Sequence, residues 1–193
     1  MGERVRSTEA AVDSAGTPGQ DQTQYLTFVL GGEMYAIGIL NIKEIIEYGN
    51  LTMVPMMPDF LRGVINLRGR VVPVVDLSAR FGRGVAEVTR RTCIVILEIE
   101  TAGEVQEIGE IGVMVDSVSE VLEIPREQIE PTPAFGAKIR TDFIEGMGKV
   151  ADRFVVILNV GRVFSLDEIA MLSNPSVADE SNVTPEAVPG RGG

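Results

Sequence analysis

Between residues 25 and 160 the chain keeps returning to one device: a run of five to eight residues rich in Val and Ile, followed by a turn signal. The first series is YLTFVL (25–30), MYAIGI (34–39), EIIEY (44–48), GVINL (63–67) and RVVPVV (70–75). The second is TCIVILEI (92–99), IGVMV (111–115), EVLEI (120–124), IEGMGKV (144–150) and RFVVILNV (153–160). Runs this short and this β-branched predict strands, and Gly31-Gly32 between the first two predicts a hairpin turn. Ten short strands with little helix between them predict an all-β fold of small barrels or a sandwich.

The two series are related by an internal repeat. YAIGILNIKEIIE falls on IGVMVDSVSEVLE, which places Glu44 on Glu120, Glu47 on Glu123 and, further on, Pro55 on Pro131. After a gap of seven residues LRGVI falls on IEGMG and GRVVPVVDL on DRFVVILNV, so that Gly63 meets Gly146 and Arg70 meets Arg153. Identities are few; the order of strands and turns defines the repeat. Asn41-Ile-Lys-Glu44 and Ser117-Val-Ser-Glu120 each resemble a capping box and predict a single helical turn at matching places. Ser165-Leu-Asp-Glu168 has the same spacing and predicts a C-terminal helix over 165–173. DLSARFG (76–82) predicts a short linking helix ended by Gly82. Residues 1–22 and 174–193 lack a hydrophobic period and are expected to be disordered tails. The domain between them, 23–173, divides at the linking helix. Barrel one is expected at about 24–83 and barrel two at about 88–165, with terminal elements free to exchange.

Composition limits the chemistry available. Histidine is absent, which removes the usual general base and the commonest metal ligand. The single cysteine, Cys93, excludes an internal disulfide framework and a zinc or iron–sulfur site, and fits a reducing cytoplasm. No metal or cofactor is expected. The carboxylates Glu44, Glu47, Asp76, Asp116 and Glu120 suffice in number for glycoside hydrolysis. Without Trp and with three Tyr, though, the chain lacks sugar platforms, and caps and surface charge explain these acids more simply. A net charge of −11 opposes nucleic acid and anionic lipid as partners. No apolar run approaches the ~20 residues needed to span a bilayer, and MGERVRSTEAAVDSAGTPGQ lacks the apolar core of a signal peptide. A cytoplasmic protein with no direct membrane insertion is expected.

Arg68-Gly69-Arg70, between VINL and VVPVV, is the most pointed local feature. It matches neither a P-loop nor a dinucleotide fingerprint, and a strand follows Gly69, not a helix. As a turn it is natural, because Gly69 accepts a positive φ. Spacing alone leaves two readings open: two solvated turn charges, or an arginine presented to a partner. Both faces of VVPVV are apolar, so one fills a core while the other meets the second half or another protein. Pro73, with no N–H for a ladder, belongs at an edge, a bulge or a bend. Met56-Met57, between Pro55 and Pro58, fits core filling or an adaptable contact surface.

YAIGILNIKEIIE, GVINLRGRVVPVVDL and IGVMVDSVSEVLEI, taken together and in this order, resemble the CheW family of chemotaxis coupling proteins over about residues 24–172. The resemblance implies two intertwined five-stranded SH3-like β-barrels around a shared core, with short helical turns and a C-terminal helix. It implies a non-enzymatic adaptor that binds the cytoplasmic tip of a chemoreceptor and the regulatory domain of the chemotaxis histidine kinase. It also implies recruitment to membrane-associated arrays. Residue by residue, the family's receptor-coupling positions fall on Ile42, Glu44, Gly63, Val64 and Arg68, with an ion pair expected between Glu44 and Arg68. Val118 and Val121 match second-barrel surface used toward receptor or kinase. Asn159 departs from the aspartate common at its place, and no receiver domain of the fused type is expected. A scaffold of a non-motility chemosensory pathway is the alternative.

Overall fold

The structure is a computed structural model and describes residues 22–100, 108–133 and 139–164. All ten apolar runs form strands. They are β1 (Gln22–Leu30), β2 (Glu33–Gly38), β3 (Ile42–Glu47), β4 (Leu61–Leu67), β5 (Arg70–Asp76), β6 (Cys93–Glu100), β7 (Ile108–Val115), β8 (Ser117–Pro125), β10 (Ile144–Val150) and β11 (Arg153–Leu158). A two-residue β9 (Ile129–Glu130) joins them, with short helices α1 (Leu77–Arg80) and α2 (Val160–Val163). The two sheets run β3-β6-β7-β5-β4 and β8-β1-β2-β11-β10-β9. They are the β4 sheet and the β10 sheet respectively.

Neither sheet is one contiguous stretch of sequence. The β6–β7 hairpin from the second half enters the β4 sheet, where β7 pairs in parallel with β5 through Val74–Gly112, Val75–Val113 and Asp76–Met114. The β1–β2 hairpin enters the β10 sheet in the same way, β2 pairing in parallel with β11 through Tyr35–Val156 and Ala36–Ile157. Under the internal repeat the two strand orders are identical, apart from β9. The halves have exchanged hairpins.

This exchange explains the nearly unbroken apolar runs. Ile94 and Ile96 of β6 pack with Val72, Val74 and Met114 in a core private to the β4 sheet. Val95, Leu97 and Ile99, on the other face of the same strand, join Phe28, Tyr35, Val75, Val113 and Phe143 in a core shared by both sheets. The β10 sheet has its own small core of Tyr25, Ala36, Ile124, Val155 and Ile157. Strands buried on both faces need apolar residues at every position, and each buried Val or Ile contributes about 1.5–3 kcal/mol. Pro73 is interior to its sheet, not at an edge. It pairs with Val64 on the β4 side, while pairing with β7 begins only at Val74, so no donor is missed.

The linking helix forms where predicted. Buried Asp76 caps α1, its Oδ1 accepting from the N–H of Ser78 (2.9 Å) and Ala79 (3.2 Å), and its Oδ2 from Ala86 (2.8 Å). Asn159, at the equivalent place, caps α2 through Arg162 N–H (3.2 Å). The departure from aspartate therefore keeps a cap. Arg80 of α1 lies 5.0 Å from the ring centre of Phe60 and 5.1 Å from that of Phe143, and donates to the Val163 carbonyl (3.0 Å). Arg83 donates to Glu33 and to the Tyr35 hydroxyl, tying the linker to the β1–β2 hairpin. Burial and the hydrogen bond to Glu33 push the Tyr35 phenol up to about 12.

The helical turns expected at Asn41–Glu44 and Ser117–Glu120 do not form. Asn41 ends a 3-10 turn (Ile39–Asn41) that has no side-chain cap, and Glu44 lies inside β3. Ser117–Glu120 belongs to β8, and the nearest 3-10 turn falls later, at Arg126–Gln128. Both segments are instead the sites of register shifts, between Ile42 and Glu44 on β3 and opposite Leu26 and Phe28 on β8. The polar spacing marks a β-bulge, which kinks a strand and needs no cap. Thr27, fully buried, bonds both the carbonyl (2.7 Å) and the N–H (3.2 Å) of Glu120 at the second bulge. The C-terminal helix expected over 165–173 and both tails, apart from Gln22 at the start of β1, lie outside the described residues.

Removing the Asp76 carboxylate strands three N–H groups. Asp76→Ala is expected to lower stability by roughly 2–4 kcal/mol and Asn159→Ala by about 1 kcal/mol. Urea unfolding of the two variants checks both the size and the order of the losses.

Candidate functional site

The β4 sheet ends in two strands, β3 and β4, that do not pair with each other. Side chains bridge them. Tight β4–β5 turn residues Arg68 and Gly69 take φ of +52° and +84°, and the Gly69 N–H is held by Asn66 Oδ1 at 2.9 Å. Arg68 reaches across to β3 and donates to both carboxylate oxygens of Glu44, at 2.9 and 3.0 Å. The expected ion pair is thus present, in the two-pronged geometry that guanidinium suits. Arg68 stays 72% exposed while paired. Such an exposed pair adds only about 0–1 kcal/mol to stability. Its main effect is to fix where the guanidinium points.

Gly63 has a different part. It is buried, with φ +143°, and a Cβ placed there would lie 2.5 Å from the Thr52 carbonyl oxygen. The space is needed because the 49–60 loop lies against β4, Thr52 and Val64 exchanging N–H···O bonds of 2.9 and 2.8 Å. A cleft of about 390 Å³ opens beside this bridge, lined by Val64 with Ile46, Thr52, Ile65, Leu67 and Ile94 among others. Ile42, Val71 and Pro73 are not part of that lining. Ile42 packs, half-buried, on the shared core. Met53 and Met56 of the loop stand exposed, whereas Met57 packs on the shared core.

Val118 and Val121 lie on β8, in the other sheet. Val118 packs on the shared core and Val121 is exposed. The repeat relates Val121 to Ile45 and Phe154 to Val71, and all four are exposed apolar side chains. The two faces differ at the turn. Ala151 stands where Arg68 does, so the second face offers Glu120 no arginine.

Sequence reasoning missed the ionic partners behind the turn. Glu110 of β7 accepts from Lys43 and, at 2.8 Å, from Arg70; Lys43 also pairs with Glu98 at 3.3 Å. Glu110 is only 7% exposed in its side chain. The sole signal was an acid within IGEIGVMV, an otherwise apolar strand. Among the described residues no group of three or more His, Cys, Asp or Glu is placed to hold a metal ion. No helix there is long and apolar enough to cross a membrane.

Residues 24–168 match the family described as CheW-like domain. The chain belongs to the CheW-like family. The chemotaxis protein CheW of Klebsiella aerogenes is 34% identical over 151 residues, covering 78% of this chain and 87% of that protein. Chemotaxis protein CheW of Helicobacter pylori is 32% identical over 162 residues, covering 84% and 93%. The solved structure of scaffolding protein TtCheW from Thermoanaerobacter tengcongensis superposes with a TM-score of 0.67 at 32% identity, over 78% of this chain and 93% of that one. The all-β reading and the CheW-like resemblance therefore hold for this chain.

Two outcomes test the geometry. Gly63→Ala is expected to cost roughly 1–3 kcal/mol and to speed amide exchange at Thr52 and Val64, whose N–H groups form the bridge. The second concerns Glu110. The hydrogen bond from Lys43, helped by the charges of Lys43 and Arg70, holds its carboxyl below the ordinary 4.5. Its contribution is thus complete above about pH 4.5 and is lost as pH falls through the lower folded value. The stability difference between wild type and Glu110→Gln, measured by urea unfolding, is expected to shrink from pH 7 to pH 3.

Proposed function

We propose that the chain is a non-enzymatic chemotaxis scaffold that couples the cytoplasmic tip of a chemoreceptor to the regulatory domain of a chemotaxis histidine kinase. The observation that supports this most is the exposed Arg68, aimed by Glu44 at the rim of the β4 sheet in a chain of the CheW-like family. A pre-aimed arginine loses little freedom on docking, and arginine is enriched among residues that dominate interfaces. Ile42, Glu44, Val64 and Arg68 form the receptor side, with Gly63 shaping it from within. A receptor tip is a helical hairpin, and an amphipathic helix laid along an apolar face is the contact mode this surface suits.

Val118 and Val121 belong to a second face on β8, in the opposite sheet, so receptor and kinase can be held at once. The scaffold acts in the cytoplasm and reaches the membrane through the receptors it binds. No catalytic step is assigned to it: a chain without histidine offers few groups for one, and binding alone accounts for the site.

Because the pair contributes little to stability, Arg68→Ala separates folding from docking. Its unfolding free energy is expected to stay within about 1 kcal/mol of wild type. Its affinity for a receptor signalling fragment is expected to fall roughly 10-fold or more, with loss of receptor-coupled kinase control in reconstituted complexes. Full kinase control by Arg68→Ala would overturn the role given to it.

A further inference from the structure

We propose that Glu110 is a positioning residue for the docking arginine, an inference that rests on the docking role given to Arg68. The charges at this rim form an ionic chain and a separate pair that neighbour each other along the backbone at both ends of the pair. Lys43 of β3 pairs with Glu98 of β6 and Glu110 of β7; Glu110 pairs with Arg70 of β5; one residue beyond Gly69, Arg68 pairs with Glu44, which adjoins Lys43. The Arg68–Glu44 pair spans the open gap between β3 and β4, where no backbone ladder closes the sheet, while the other pairs run across the laddered strands β3, β6, β7 and β5. The members are unequal. Arg68 and Arg70 are largely exposed at 72% and 65%, whereas the Glu110 side chain is 7% exposed. Glu110 is the fixed point, and the others are arranged around it.

The consequence is a division of cations among anions. Three cations, Lys43, Arg68 and Arg70, stand near three carboxylates. Oε1 of Glu110 takes both Lys43 and Arg70, which leaves both oxygens of Glu44 to Arg68. Neutralising Glu110 releases Arg70 and Lys43 to compete for Glu44 and Glu98, and like charges then crowd the turn. Arg68 keeps its charge and its place in the chain but loses its fixed direction. The pre-ordering that favours docking goes with it. Glu110 comes from the hairpin donated by the second half, so the strand exchange itself supplies the anchor for the first half's docking turn.

The experiment is a double-mutant cycle read as binding. A purified chemoreceptor cytoplasmic signalling fragment is titrated by calorimetry against full-length wild type, Glu110→Gln, Arg68→Ala and the double variant. Glu110→Gln is expected to weaken binding by roughly 3- to 10-fold in the wild-type background and by less than about 2-fold in the Arg68→Ala background. A purely structural role predicts the same loss in both. Equal losses, or no loss from Glu110→Gln while Arg68→Ala weakens binding, overturn the positioning role and leave the docking reading standing. Wild-type binding by Arg68→Ala instead overturns the docking reading itself. Should Glu110→Gln fail to fold, Arg70→Gln cuts the same tie from its exposed end, and the same pattern of losses decides.

Discussion

Two reciprocal parallel pairings, β5 with β7 and β2 with β11, hold everything else in place. Each binds a hairpin from one half of the sequence into the sheet of the other. Parallel neighbours require a long connection: α1 and β6 lie between β5 and β7, and β3 through β10 lie between β2 and β11. The halves consequently cannot part without breaking both sheets, and stability belongs to the pair.

The cores follow from that constraint. A single sheet of five short strands buries one face; here β6 and β7 bury both, one toward Val72 and Val74 and one toward the shared core. Close approach at the joints is met by small residues: a Cβ on Gly112 would lie 2.9 Å from Ile94. Polar groups trapped at the joints are satisfied locally. Asp76 and Asn159 cap the short helices that leave β5 and β11, and Thr27 serves the β8 bulge. Arg80, placed against Phe60 and Phe143, joins two residues that the repeat relates to each other.

Much of this was legible in the sequence because strand burial and turn chemistry are local. Val and Ile runs, Gly31-Gly32, Gly69 and the Asp76-to-Gly82 helix all carry their signals within a few residues. The Arg68–Glu44 pair was legible through family resemblance, since nothing in 24 residues of separation announces a contact. The bulges were misread because Asn41-to-Glu44 and Ser117-to-Glu120 spacing serves a cap or a kinked strand equally well, and only the partner strand decides. Glu110 was missed for a related reason. Its meaning depends on Lys43 and Arg70, 67 and 40 residues away, which only the exchanged topology brings to it.

What the fold presents at the β4 rim is a rigid turn, an aimed guanidinium and an adjoining apolar edge, with a related face on β8 that lacks the arginine. The most direct measurement is a hydrogen-exchange footprint of the full-length protein with and without a purified chemoreceptor signalling fragment. Protection is expected along β3, at the 66–70 turn and around Thr52 and Val64, with β8 and β11 unchanged. Protection confined to β8 and β11, or none at a saturating concentration of the fragment, would contradict the assignment of this rim to the receptor.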